Sequence, residues 1–175
     1  MRHALIAFLL MVACGTGSGD NEPALIAAVR GGDAAAVTRM VKAGADPNMR
    51  AGVNGWPALM HAVHKHQLAT AAALLDAGAD PNRGYPHNYT PLMMAALYGH
   101  ADMVRLLLAR GASTRPVNWE GAHAIDLAYE GALDIDRLTF LSCQDETVRL
   151  LRAADPALQA NSFARRWARV KRCGA

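Results

Sequence analysis

The sequence predicts an all-α protein built as a solenoid of repeated helix–turn–helix units. Its apolar residues are dominated by Ala, Leu, Val and Met, and only 6% of the chain is aromatic, a mixture that favours helices over strands. The pentapeptide Gly-Ala-Asp-Pro-Asn occurs at 44–48 and at 78–82, and Gly-Ala-Ser-Thr follows at 111–114, so the offsets are 34 and 33 residues. A period of this length indicates stacked units that share one continuous core.

The first residues precede the repeats and have the pattern of an export signal. Arg2 and His3 lead an apolar run, 4–13, that would be about 15 Å long as a helix, half of what spanning a bilayer needs. We therefore predict a secretory signal peptide over residues 1–13. Met11-Val12-Ala13-Cys14 resembles the bacterial lipobox, and residues 14–21 resemble a flexible lipoprotein tether. The resemblance implies lipidation of Cys14, with a plain secreted protein cleaved nearby as the alternative.

Three segments align around the repeated anchors: 25–48, 59–82 and 92–115. The third unit resembles the ankyrin repeat, although Met93 stands where that family has histidine. The matching positions are Thr90-Pro91-Leu92, Ala95-Ala96, Gly99-His100, Val104, Leu106-Leu107-Leu108 and Gly111-Ala112. A Thr-Pro start caps a first helix, a glycine ends it, and the leucines fill the core between units. The resemblance implies helix–turn–helix units joined by hairpin loops.

About four units are predicted, over 22–50, 51–83, 84–116 and 117–154, which together form one domain, 22–154. The fourth is degenerate: about a dozen inserted residues separate Ala-His-Ala-Ile-Asp-Leu-Ala (122–128) from its second helix at 147–153. A first unit without a hairpin and an irregular last unit are typical of capping repeats.

The segment 155–175 is predicted to be a basic amphipathic helix or tail. Asp155-Pro156 is a helix-start signal, and Phe163, Trp167 and Val170 follow helical spacing. Five basic residues and no acidic residue follow Asp155. This segment either docks on the last unit as a capping helix, which we favour, or lies on anionic lipid beside the anchor.

The ankyrin resemblance implies a concave groove that binds a protein partner. In that family the two residues after the small pair of the first helix face the groove, here His64 and Lys65, then Leu97 and Tyr98, then Glu130 and Gly131. The hairpin tips line the same groove and contribute Trp56, His87, Tyr89 and Trp119. Aromatic residues dominate interface hot spots. The alternative is that Trp56 and Trp119 pack against their own hairpins and only stabilise them.

The histidine-rich stretch at 61–67 is not predicted to be a metal site. His61 and His64 share a helix face, whereas His66 falls where the repeat has its helix-ending glycine, so the three rings do not converge. Zinc proteases place two histidines at i and i+4 with a glutamate between them, which is missing here. The alternative is a metal-binding protein that uses His61, His64, His87 and His100.

No residues are arranged for catalysis, and we expect no cofactor, no metal and no nucleic-acid partner. The predicted function is that of an exported, periplasm-facing lipoprotein scaffold, a monomer that binds an unidentified protein and touches the membrane through lipid on Cys14. Exported ankyrin proteins that resemble this one are associated with stress defence, and the scaffold is also suited to immunity against a secreted toxin, so both roles stay open. Cys143 and Cys173 are either joined or separate thiols.

Overall fold

Residues 23–52, 55–84, 88–131, 133–134, 139–140, 144–161 and 164 are described by the computed structural model of the chain. Their helices come in four pairs. The first unit holds α1 (Ala24–Gly31) and α2 (Ala34–Lys42), the second α3 (Ala58–His64) and α4 (Leu68–Asp76), the third α5 (Pro91–Tyr98) and α6 (Ala101–Ala109), and the fourth α7 (Ala124–Glu130) and α8 (Asp145–Ala154). The predicted helix pairs of the solenoid are therefore confirmed.

The pairs stack into two layers. First helices pack on first helices in the order α1, α3, α5, α7, and second helices pack on second helices in the order α2, α4, α6, α8. Between the layers runs one apolar core, in which Leu59, Leu74 and Leu107 are completely or almost completely buried. Alanines such as Ala62, Ala95 and Ala128 lie in this core with no exposed surface, which lets neighbouring backbones approach closely.

Short strands form two hairpins. β1 (Arg50–Ala51) pairs with β2 (Trp56–Pro57) in antiparallel register and makes the projecting finger between the first two units. β3 (Leu133–Asp134) and β4 (Thr139–Phe140) pair inside the predicted insertion of the fourth unit. The insertion lies between α7 and α8 in the chain, yet these two helices still pack directly against each other.

The repeated Asp-Pro-Asn sequence ties each unit to the next. Asp80 accepts a hydrogen bond from the Asn82 amide at 2.8 Å, which shapes the turn. The Asn82 side chain then reaches into the next unit, accepting from the Ser113 amide at 2.8 Å and donating to the Gly111 carbonyl at 3.3 Å. Asn48 makes the same two bonds one unit earlier. The motif therefore recurs because each copy satisfies backbone groups of its neighbour.

Caps delimit the first helix of the third unit as the sequence predicts. Thr90 accepts a hydrogen bond from the Met93 amide at 3.3 Å, and Pro91 occupies the first turn, where its missing N–H costs nothing. Gly99 ends the helix with a φ of 69°, a left-handed conformation that favours glycine.

The C-terminal segment begins differently from the prediction. Residues 156–157 form a turn and 158–161 are irregular, so no helix starts at Asp155-Pro156. The Asp155 side chain instead accepts from the Ala157 amide at 3.1 Å and from the Thr114 hydroxyl at 3.2 Å. Asn161 accepts from the amide of Ala164, which is helical. The helix-start signal at Asp155 was wrong because its carboxylate is engaged in a turn and in a contact with the third unit.

Within the residues that the structure describes, no helix is long and apolar enough to cross a membrane. The predicted signal peptide, Cys14, the tether, Cys143, Phe163, Trp167, Val170 and Cys173 all lie outside those residues.

Candidate functional site

Each unit has two positions at the end of its first helix that the ankyrin resemblance predicts to face the concave groove, and we call these positions the groove floor. α3 ends at His64 with Lys65 as its capping residue, and α5 ends with Leu97 and Tyr98. Lys65 is exposed, and the other three are partly exposed. The buried pairs that precede them, Ala62-Val63 and Ala95-Ala96, anchor the helices to the core. These four predicted residues therefore sit side by side on two adjacent helices.

Aromatic contacts connect the first finger to the floor. The Trp56 ring lies 5.5 Å from His61 and 5.1 Å from His64, both tilted, and His64 meets Tyr98 edge-on at 5.7 Å. Trp56 is partly buried and packs against the core. Trp56 therefore contacts the helix that follows its strand, through His61 and His64, and not only its own hairpin.

His66 occupies the position where the first and third units have Gly32 and Gly99, and it keeps a left-handed backbone with a φ of 52°. Its Nε2 lies 2.8 Å from Asp102, and its ring stacks on His100 at 3.9 Å with an interplanar angle of 2°. The next ring in the row is Tyr98, 5.7 Å from His100. The three histidines of the 61–67 stretch therefore do not converge: two contact Trp56 and the third faces the following unit.

Side chains at the starts of the second helices cover these turns. A Cβ at Gly32 would lie 3.1 Å from the Gln67 amide, and one at Gly99 would overlap the Gln144 side chain. His100 occupies the same position in the third unit and covers His66. The flat imidazole of His100 thus leaves room for a side chain where glutamine excludes one.

Burial lowers the pKa of His64 and His100, two of the neighbouring rings described above. His64 loses solvation and also feels the positive charge of Lys65 and then of His61, so its pKa lies below 6.5. Burial likewise lowers the pKa of His100, assisted by His66 and opposed by Asp102. Asp102 itself loses some solvation, yet hydrogen bonds from His66 and from the Met103 amide lower its pKa. Neutral His64 and His100 are therefore the favoured forms in the folded chain.

The third and fourth units carry the second half of the predicted site. Tyr89 is partly buried, and desolvation raises its pKa, followed by the influence of Tyr98, Glu130 and Glu120. Trp119, in contrast, is 72% exposed. Glu120 beside it is exposed as well. Of the predicted hairpin aromatics, Trp119 is the one that presents a large apolar surface outward, and His87 lies outside the described residues.

No three His, Cys, Asp or Glu side chains among the described residues are grouped so that they could hold a metal ion. The rings of His66 and His100 are stacked, and His66 is paired with the carboxylate of Asp102. The ring nitrogens of the described histidines do not converge on a common centre. The groove floor and this row of rings present aromatic faces, one ammonium group and a few polar edges.

Sequence reasoning did not find the long-range partners of two residues, Asp102 and Asp126. Asp102 pairs with His66 across the interface of the second and third units. Asp126 has a completely buried carboxylate, which accepts hydrogen bonds from the amides of His123 at 2.7 Å and Asn161 at 2.6 Å. No local pattern signals the second bond, because Asn161 is 35 residues away in the chain.

Comparisons with known proteins agree with this architecture. A family model for ankyrin repeats in many copies matches residues 74–128, and one for three ankyrin copies matches residues 2–85, a range that begins within the segment interpreted as a signal peptide. The crystal structure of the human ASB11 ankyrin repeat domain is similar, with 27% identity and a TM-score of 0.61. The match covers 77% of this chain and 55% of that one, so the chain spans little more than half of its length. No curated protein matches.

Proposed function

Because the chain belongs to the ankyrin-repeat family, whose members are generally binding scaffolds, we propose that its concave groove binds a protein partner. The observation that carries this proposal is the exposure of Trp119 and Lys65 on either side of the partly exposed pair Leu97 and Tyr98. A tryptophan that is 72% exposed costs free energy in water unless a partner covers it. Trp and Tyr are the side chains that contribute most at protein interfaces.

Affinity capture with two matched triple variants tests this function. The groove variant carries Lys65→Ala, Tyr98→Ala and Trp119→Ala. Trp56 and Tyr89 are left intact because they pack into the fold. The control variant carries Arg39→Ala, Lys42→Ala and Leu68→Ala, three exposed positions on the second-helix layer. Circular dichroism first verifies that both variants are folded.

A partner held by the parent and the control but lost by the groove variant supports the proposal. Loss by the control alone would move the binding surface to the second-helix layer and contradict it.

We also propose that the protein is exported and anchored by lipid on Cys14. The support is the sequence pattern of residues 1–14 alone. Labelling cells with a radioactive fatty acid tests it: the parent incorporates label and Cys14→Ser does not. A labelled Cys14→Ser chain, or an unlabelled parent, would contradict the anchor. Cell fractionation separately checks export to the periplasmic side.

The resemblance implies two candidates for the partner, a stress-defence enzyme or a secreted toxin. A captured partner that is an enzyme of oxidant removal would favour the first. A captured toxin whose activity falls on binding would favour the second.

A further inference from the structure

The charge of the groove floor changes sign along the solenoid. Reading the same two positions in each unit, the first unit presents Arg30 and the second presents Lys65, both exposed. The third unit presents Leu97 and Tyr98 and carries no charge there, and the fourth presents Glu130, which is partly exposed. One end of the floor is therefore basic, the middle is apolar and aromatic, and the other end is acidic.

Neighbouring side chains reinforce both ends. Glu120 is exposed on the last finger. After desolvation and the influence of Tyr98, the charges of Glu130 and Glu120 also raise the pKa of the Tyr89 hydroxyl. At the other end, the charge of Lys65 acts on the His64 ring after the effect of burial. Each end thus presents a local group of one sign.

A groove of this kind selects the order of charges in its partner. Like charges placed opposite each other cost free energy, and complementary ones steer the encounter and set the register. A partner that is wholly acidic gains at one end and loses at the other, and a wholly basic partner does the reverse. Only a segment with acidic and basic groups at opposite ends gains at both.

We propose that the groove recognises a polypeptide segment that presents a carboxylate to Arg30 and Lys65, an apolar side chain to Leu97 and Tyr98, and a lysine or arginine to Glu130 and Glu120. This inference rests on the proposed protein-binding function and specifies the chemistry of the partner.

Three fluorescein-labelled peptides of equal length and with the same apolar centre test the inference on the full chain. The first is acidic at both ends, the second is basic at both ends, and the third is acidic at one end and basic at the other. Fluorescence anisotropy is measured at low and at physiological salt. Because each exposed charge pair contributes about 0.2–1 kcal/mol, we expect the mixed peptide to bind roughly threefold to thirtyfold more tightly than either other peptide, with a smaller advantage at higher salt.

A charge reversal provides the sharper arm. Lys65→Glu places an acidic side chain on the groove floor of the second unit. The variant's peptide preference should therefore move from the mixed peptide toward the peptide that is basic at both ends. Lys42→Glu makes the same charge change on the second-helix layer and should leave the order of the three affinities unchanged. Glu120→Gln with Glu130→Gln should lower the affinity for the mixed peptide toward that for the doubly acidic one.

Equal binding of the three peptides, no binding of any, or the same effect of Lys65→Glu and Lys42→Glu would overturn the inference. Self-association of the chain that Lys65→Glu abolishes and that excludes the mixed peptide would assign the groove to a second copy, which also overturns it. The proposed function fails separately, when the groove variant still captures the partner. If capture depends on the groove but the peptides show no charge order, protein binding stands and this inference alone falls.

Discussion

His66 holds a backbone conformation that glycine adopts at the equivalent turns. A left-handed φ costs a residue with a Cβ about 1–2 kcal/mol, and this cost is offset here by the pair with Asp102 and the stack on His100. Both partners are exposed or partly exposed, so the pair with Asp102 contributes at most about 1 kcal/mol.

The balance at this turn predicts different outcomes for two small substitutions. His66→Ala keeps the backbone strain and loses both contacts, whereas His66→Gly loses the contacts and the strain together. We expect His66→Ala to be less stable than His66→Gly by about 1 kcal/mol, measured as the free energy of unfolding in urea. Equal stability of the two variants would show that the turn is not strained.

Two histidines make stability depend on pH. His64 and His100 have a lowered pKa in the folded chain, so the unfolded chain binds protons more tightly below the ordinary value of 6.5. Their contribution is fully present above that value and is lost as the pH falls through it toward the lowered values of the folded state. The lowered pKa of Asp102 acts in the same direction only at more acidic pH, near and below its ordinary 3.8.

We therefore expect the free energy of unfolding to fall between about pH 7.5 and about pH 5.5. His100→Phe should show a smaller fall, because one of the two titrating groups is gone. Phenylalanine keeps a flat ring over His66, whereas glutamine at this position excludes a side chain at the turn that it covers. A fall of the same size in the variant would exclude His100 as a source.

At the scale of elements, the C-terminal segment is bound to the fourth unit by one buried carboxylate. Asp126 satisfies the amide of His123 at the start of α7 and the amide of Asn161 in the segment. Ala160 and Ala164 are buried and belong to the same apolar core as the last unit, so the segment covers part of that core. The described residues 155–161 and 164 thus pack on the last unit, and the Phe163 and Trp167 stripe of the predicted capping helix lies outside the described part of the chain.

Removal of this carboxylate should release the segment. Asp126→Ala leaves two amides without an acceptor, each worth about 1–3 kcal/mol when buried, so we expect a loss of about 2–4 kcal/mol in the free energy of unfolding. Limited trypsin digestion should also cut faster at Arg152 in the variant. Asp145→Ala, at an exposed position on α8, is the control and should stay close to the parent in both measurements. An unchanged digestion rate in Asp126→Ala would argue against a role of this carboxylate in holding the C-terminal segment.

At the scale of the whole molecule, stability depends on contacts between neighbouring units. Within each layer, every helix contacts the corresponding helix of the next unit. Asn48 and Asn82 add hydrogen bonds between neighbouring units. In such an array a weakened central unit uncouples the units on both sides.

Leu74→Ala tests this coupling, because Leu74 is completely buried in α4 between the first and third units. We expect a loss of about 2–5 kcal/mol in the free energy of unfolding. Hydrogen exchange should accelerate in both α1 and α7. Leu68→Ala, at a 38% exposed position on the same helix, should have little effect. Acceleration confined to α4 would contradict coupling along the array.

The amino-acid sequence by itself determined the repeat number, the helix pairs, the Thr90 cap and the Gly99 stop, because these depend on period and on local backbone preferences. It also predicts which helix positions face the groove, since the register carries from one unit to the next. The tertiary structure decided what long-range contacts set: that Trp56 packs inward while Trp119 projects, that His66 pairs with Asp102, and that Asp126 is buried under Asn161. Each of these depends on a partner from another element, which spacing within one unit does not encode. The helix predicted to start at Asp155 failed for the same reason, since a carboxylate that can cap a helix can equally close a turn and bind Thr114 of the neighbouring unit.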